Sequence, residues 1–236
     1  MELAIDTSTK VATLALSDRG DVIAAFTWLA GQNHTAELIP NLRHLLSQAQ
    51  ITLQDMEGIV VAKGPGSFNG LRVGIAAVKG LSFALDIPLV GISTLEAIAF
   101  PYAAIGLPIC PILNAGRGEI ATALFQSRNS TWLRLIAEHI TNIENLCEEA
   151  HGQIIFCGEI NPEIASSLRG KLGENALILQ GLAMLGTANC LSKLGWQKLE
   201  THDYDDTATL QPSYLRKPAI TIPKGRRYHE VSDMRS

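Results

Sequence analysis

Residues 58–85 read Gly-Ile-Val-Val-Ala-Lys-Gly-Pro-Gly-Ser-Phe-Asn-Gly-Leu-Arg-Val-Gly-Ile-Ala-Ala-Val-Lys-Gly-Leu-Ser-Phe-Ala-Leu. A β-branched apolar run meets a Gly-Pro-Gly turn, and a long helical pattern follows. The order strand, tight loop, helix aims backbone N–H groups at whatever lies beyond the strand end. The helix keeps glycines, although each costs about 1 kcal/mol relative to alanine. Gly70, Gly74 and Ala77 recur at spacings of three and four, on or near one face. Two uses fit this stretch: an anion cradle in the loop, and a seam where another backbone comes close.

Upstream, residues 2–6 read as a short strand ending at Asp6-Thr7-Ser8-Thr9. Val11 to Ser17 and Val22 to Leu29 read as two more strands around an Asp18-Arg19-Gly20-Asp21 turn. A helix starts near Thr35, with Leu38, Leu42, Leu45 and Leu46 at helical spacing and Pro40 in its first turns. Downstream, Leu89 to Ile92 is a strand, and Ser93 or Thr94 can cap a helix to about Ala103. Gly106-Leu107-Pro108 breaks the pattern and sets a lobe boundary.

The second half starts over: strands at 109–113, 120–126 and 132–137, then a helix at 143–150. A strand at 153–157, a helix at 162–172 opened by Asn161 and Pro162, a short strand at 176–179 and a helix at about 182–194 complete it. Both halves run meander, helix, strand, helix, so the pattern predicts an α/β fold of two similar lobes. The first is 1–105 and the second 106–216, with the last helix free to pack back on the first lobe. Residues 217–236 carry Lys224-Gly225-Arg226-Arg227 without apolar periodicity and read as a disordered tail.

The chain has 236 residues, 47% of them hydrophobic, and a formal charge of −4. A chain of this size buries roughly 70–75% of its unfolded surface. No basic field invites nucleic acid directly. The four cysteines include no Cys-x-x-Cys pair, which argues against zinc ribbons and thioredoxin chemistry. No signal-peptide pattern opens the sequence and no apolar run reaches membrane-spanning length, so a cytoplasmic location is expected.

Several motifs carry a family resemblance. Ala-Ile-Asp-Thr-Ser-Thr at 4–9, Asn-His-Thr-Ala-Glu-Leu-Ile-Pro at 33–40 and Lys-Gly-Pro-Gly-Ser-Phe-Asn-Gly-Leu-Arg-Val-Gly at 63–74 closely resemble the bacterial TsaB (YeaZ) proteins. Ile-Ser-Thr-Leu-Glu-Ala at 92–97 and Pro-Ser-Tyr-Leu-Arg at 212–216 fit as well. The resemblance implies a two-lobed actin-like, sugar-kinase-like (ASKHA, ribonuclease-H-like) fold with mixed sheets. It also implies a part in making threonylcarbamoyladenosine beside the tRNA anticodon. In that pathway TsaC makes threonylcarbamoyl-AMP, and TsaD transfers the carbamoyl group with help from TsaB and the ATPase TsaE. Two departures stand out: Asn69 replaces the usual Thr, and Asn-Ala-Gly-Arg-Gly-Glu at 114–119 replaces an Asp-Ala-Arg pattern.

TsaD, a relative, binds its metal through a His-x-x-x-His helix pair. Thr94 and Ile98 stand in those places here, and isoleucine cannot ligate. None of the six histidines forms an i, i+4 pair, so no metal site is expected. Asp6, Thr7, Ser8, Gly64 and Gly66 are the candidate nucleotide-binding residues, at the strand end where this fold class receives phosphate. The competing reading is a polar turn held by Asp6 and a turn that needs glycine torsions. Ser67 reads as a helix cap, since neither Gly-x-Ser-x-Gly nor an orienting His–acid pair is present.

The seam remains. Leu71, Ile75, Val78, Leu81, Ser82 and Leu85 suffice as a core face, which leaves the glycine face for another chain. The expected partner interface is His34, Leu38, Leu42, Leu45, Gly70, Arg72, Gly74, Ala77 and Val78. In the family these helices pair with TsaD, or with a second TsaB as a homodimer, across a four-helix interface of about 1,600 Å². On this reading Gly74→Leu abolishes pairing and spares the monomer. The expected role is a non-catalytic accessory subunit or scaffold: a heterodimer with TsaD, a ternary complex with TsaE, and tRNA contact only through the complex. No cofactor is required, with ATP or ADP admitted at or near the complex interface. The alternatives are an autonomous ATP-dependent enzyme of the sugar-kinase type and a glycoprotease-like metallopeptidase.

Overall fold

A computed structural model describes residues 1–179 and 187–216. The expected tail at 217–236, and the first residues of the expected last helix, lie outside the described residues.

The chain opens with β1 (Glu2–Asp6), β2 (Val11–Asp18) and β3 (Asp21–Leu29), an antiparallel meander. Helix α1 (His34–Ala49) leads to β4 (Gly58–Ala62), α2 (Phe68–Leu85) and β5 (Leu89–Ile92). β4 lies parallel to β1, and β5 parallel to β4, so the sheet order is β3-β2-β1-β4-β5. The second half repeats this plan. It runs β6 (Ile109–Gly116), β7 (Glu119–Arg128), β8 (Thr131–Thr141), α4 (Ile143–Glu149), β9 (Ile154–Gly158), α5 (Pro162–Leu172) and β10 (Ala176–Ile178). Its sheet reads β8-β7-β6-β9-β10, the same order of antiparallel and parallel neighbours. The two-lobed α/β architecture with mixed sheets follows from this duplication.

Strand alternation decides which helix covers which face. Leu3, Ile5, Leu14, Leu16, Ile59 and Val61 point to α1 and α2, where Leu38, Leu42, Leu45, Ile75 and Val78 meet them. Ala4, Ala15, Val60 and Ala62 point the other way, to α6 (Thr187–Glu200) through Ala188, Leu191 and Leu194. The small residues on that face let the helix approach closely. Gly195 lies against Val60 so tightly that a Cβ there would overlap the valine side chain.

Helix α6 follows the second lobe in sequence but completes the first in space. So does the strap behind it, residues 203–216. The Asp205 N–H donates to the Leu89 carbonyl at 2.9 Å, and Asp205 Oδ2 accepts from the Gly91 N–H at 2.7 Å. Lys79 Nζ donates to the Ala208 and Leu210 carbonyls at 3.0 and 3.1 Å. The Ser213 N–H reaches the Lys63 carbonyl at 2.6 Å.

Helix α3 (Thr94–Ala99) is shorter than the sequence pattern suggests and tightens into a 3₁₀ turn over Phe100–Ile105. Pro101 has no N–H to return to Ala97, which ends the α-helical ladder there. Ser93 caps α3, accepting from the Glu96 N–H at 3.3 Å.

Glu2 closes the β2–β3 hairpin from below. Its carboxylate is 1% exposed and accepts from Ser17 Oγ at 2.6 Å, the Arg19 N–H at 3.1 Å and the Gly20 N–H at 3.2 Å. Glu2→Met keeps the volume and removes both carboxylate oxygens, and with them all three hydrogen bonds. It is expected to lower unfolding free energy by about 2–3 kcal/mol, measured by urea denaturation. A loss within error of zero contradicts this assignment.

Candidate functional site

Pro65, Gly66 and Phe68 line the first-lobe side of the cleft between the lobes, and the turn after β1 lies buried beneath them. Asp6 ends that strand 2% exposed. Its Oδ1 accepts from the Ser8 N–H at 2.8 Å and from Ser8 Oγ at 2.6 Å. Burial pushes the Asp6 carboxyl above its ordinary value, opposed by hydrogen bonds from Ser8 and Thr187 and by nearby His34. Thr7 is fully buried, and its Oγ1 donates to the Gly70 carbonyl at 2.8 Å. The Ser8 carbonyl accepts from the Ser67 N–H at 2.6 Å. Ser67 Oγ in turn caps α2, accepting from the Gly70 N–H at 3.3 Å.

The five candidate nucleotide residues therefore come together. Ser8 presses on the loop that holds Gly64 and Gly66, and Thr7 presses on the first turns of α2 just behind it. A Cβ on Gly66 would overlap the Ser8 carbonyl. Gly64 has φ +107°, and a Cβ there would stand 2.8 Å from the Ser213 carbonyl oxygen of the strap. Strap residues Ser213 to Arg216 line what remains of the cleft, together with Pro65, Leu113, Asn114 and Ile140. The space left is about 150 Å³, below the about 300–1,000 Å³ usual for small-molecule sites. Across the cleft, Arg216 pairs with Glu119 and its guanidinium donates to the Ala115 carbonyl at 3.3 Å. Tyr214 accepts from Arg72 Nε at 3.0 Å and packs on the Phe68 ring with centroids 5.0 Å apart.

The glycine face answers to its own chain, which corrects the expected partner interface. A Cβ on Gly70 would overlap the Thr7 carbonyl, and one on Gly74 would overlap Thr7 Oγ1. The close backbone that these glycines admit is the β1 turn. Gly74→Leu therefore strikes the monomer itself. Leu38, Leu42, Leu45 and Val78 are at most 5% exposed in the first lobe's core. His34 is 3% exposed, with Nε2 2.8 Å from the Thr9 carbonyl it donates to. Of the expected interface, Arg72 is exposed and Ala77 half-buried.

The outward face of α2 lies one step around the helix. Ala76, Gly80 and Ala84 are exposed at spacings of four, and Phe83 beside them is 85% exposed. Nothing stands within 4 Å of a Cβ built on Gly80. On α1, Ile39 is 47% exposed. Gly80 and Phe83 fall outside the core stripe, a signal that the assignment of the seam to Gly70 and Gly74 passed over. The strap contacts carry no such signal, since they are made by backbone groups and single side chains.

The chain is 32% identical to the tRNA threonylcarbamoyladenosine biosynthesis protein TsaB of Bacillus subtilis, over 91% of this chain and 93% of that protein. It belongs to the TsaB (YeaZ) family. The family model described as "TsaD: tRNA N6-adenosine threonylcarbamoyltransferase" matches residues 28–224. YeaZ from Pseudomonas aeruginosa superposes with a TM-score of 0.73 at 23% identity, covering 91% of this chain and 99% of that one. Component A of the Acidaminococcus fermentans (R)-2-hydroxyglutaryl-CoA dehydratase shares the fold at a TM-score of 0.52 and 11% identity, covering 84% and 98% of the two chains. The fold is thus the actin-like, sugar-kinase-like one that the motifs implied.

In this TsaB-family chain, Thr94 and Ile98 both lie on α3 and are fully buried. Ile98 packs in the apolar core between the lobes and offers no donor atom, so these residues do not fit a metal. Among the described residues no cluster of three His, Cys, Asp or Glu side chains could hold one. All four cysteines are buried and free, and burial pushes the Cys110 and Cys190 thiols up to about 12, which leaves them poor nucleophiles. Among the described residues no helix is long and apolar enough to cross a membrane.

A pH test follows from Asp6. Its folded pKa lies above its ordinary 3.8, so its contribution is fully present below that value and lost as pH rises through the folded pKa. Asp6→Asn removes this term. Between about pH 4 and pH 7 the stability difference is expected to move in favour of the Asn variant, read by urea unfolding at each pH. A difference that moves toward the wild type contradicts the burial argument.

Proposed function

We propose that this chain is a non-catalytic accessory subunit in threonylcarbamoyladenosine synthesis on tRNA, which docks on TsaD and favours its active arrangement. The observation that carries this reading is the outward face of α2. Ala76, Gly80 and Ala84 form a smooth line beside the 85% exposed Phe83, a shape suited to a close-packed partner helix. The family resemblance supplies the partner, and the tightly packed β1 turn supports a role without chemistry of its own. Docking shifts TsaD between states only if one TsaD state binds this face more tightly. TsaE joins the pair, tRNA is reached through the complex, and without TsaD the same face supports a homodimer. ATP or ADP, where used, lodges at or near the complex interface. A cytoplasmic location goes with this role.

The experiment is a tRNA modification assay with TsaC, TsaD and TsaE from one source, with and without this chain. Modification is expected to require it, and full activity in its absence ends the proposal. Phe83→Glu, at an exposed position, is expected to fold normally and to weaken TsaD binding by about thirtyfold or more, the size of an interface hot spot. Titration calorimetry reads this directly, and unchanged affinity moves the interface elsewhere. ATP turnover by the isolated chain would favour the sugar-kinase reading.

A further inference from the structure

A second cavity, of about 710 Å³, opens between the lobes near the C-terminal end of α6. Thr187, at the start of α6, faces Asp6, and Lys198 lies eleven residues on, about 16 Å along the helix axis. The cavity is therefore separate from the cleft. Its first-lobe walls are Ile92, Glu96, Phe100 and Leu194, with Gln197 and Lys198 at the mouth. The second lobe contributes Ser127, Ser130, Thr131 and Trp132 from the β7–β8 hairpin. The volume falls in the usual range for small-molecule sites.

We propose that this cavity binds a nucleoside monophosphate whose base carries an exocyclic amine, as adenine does. The chemistry of the walls selects that class. Ile92, Phe100, Leu194 and Trp132 offer an apolar slot for a planar ring. The Trp132 indole is fixed: it stacks on Phe125 with centroids 5.5 Å apart and meets Phe100 edge-on at 5.4 Å. Its Nε1–H donates to Glu96 Oε1 at 3.2 Å, and Arg134 stands 3.5 Å from Glu96 Oε2. The carboxylate is thus held in place with acceptor capacity to spare, since it has about four lone-pair sites. An amine N–H satisfies it, whereas a carbonyl oxygen in the same position is repelled. The hydroxyls of Ser127, Ser130 and Thr131 suit a ribose. Lys198 suits a phosphate: it is now 2.8 Å from Asp203 in an exposed pair, and such pairs hold weakly. The hairpin tip carries left-handed torsions at Asn129 (φ 51°) and Ser130 (φ 62°), where glycine is the unstrained choice at the second position. The residue at that second position, Ser130, stands in the cavity wall.

This inference does not rest on the proposed function, and its test uses the full chain alone. Titration calorimetry with AMP, adenosine and IMP supplies the probes. AMP is expected to bind saturably and more tightly than adenosine or IMP. Lys198→Ala should weaken AMP about tenfold and leave adenosine unchanged. Glu96→Gln, whose amide can donate or accept, should erase the preference for AMP over IMP. Circular dichroism checks that both variants fold. No saturable heat at millimolar AMP overturns the proposal. So does AMP binding that both variants leave untouched, which would place the nucleotide elsewhere.

Discussion

The first lobe depends on a backbone contact that only glycine permits. The turn after β1 presses Thr7 into α2 at Gly70 and Gly74, and Ser8 onto Gly66. This fixes α2 against the end of β1, and with it the floor of the cleft. The two α2 glycines cost helix propensity, about 1 kcal/mol each relative to alanine. The return is a close approach between a helix and a turn, tied by the Thr7 Oγ1 to Gly70 carbonyl bond at 2.8 Å. The same contact sets which face of α2 is spent on the fold and which is left outward.

The strap builds on that floor. It leaves α6, runs along β5 and the Lys63–Gly64 turn, and ends against Glu119 of the second lobe. The lobes are thus joined by a covalent crossover, by α3 and by a returning chain segment. Ser213 to Arg216 line the small cleft cavity that remains beside that turn, about 150 Å³. The strap thus narrows the cleft, while the smooth face of α2 at Ala76, Gly80 and Ala84 lies outside it.

Much of the fold was legible because strand alternation and helical stripes reflect burial directly. Leu3 and Ile5 against Ala4, or Leu38, Leu42 and Leu45, point where periodicity says they should. The glycines of α2 illustrate the limit. Spacing shows that Gly70 and Gly74 admit a close neighbour, but it does not say whose backbone arrives. Here it belongs to Thr7, 63 residues before Gly70 in the turn after β1, and the open glycine of α2 is Gly80. Helix α6 was expected, but its periodicity left open which lobe it joins, for a topological reason. It follows the second lobe's strands yet pairs with Ala4, Ala15 and Val60 of the first. The strap had no period to read at all.

The Thr7 contact is most directly tested by the sign of one stability change. Helix propensity alone makes Gly74→Ala stabilising by about 1 kcal/mol. If Thr7 fills the space beside Gly74, the added methyl instead destabilises the isolated chain by about 1–3 kcal/mol, and Thr7→Ala in the same chain relieves part of that loss. A stabilised Gly74→Ala protein, or one indifferent to Thr7, would contradict the account.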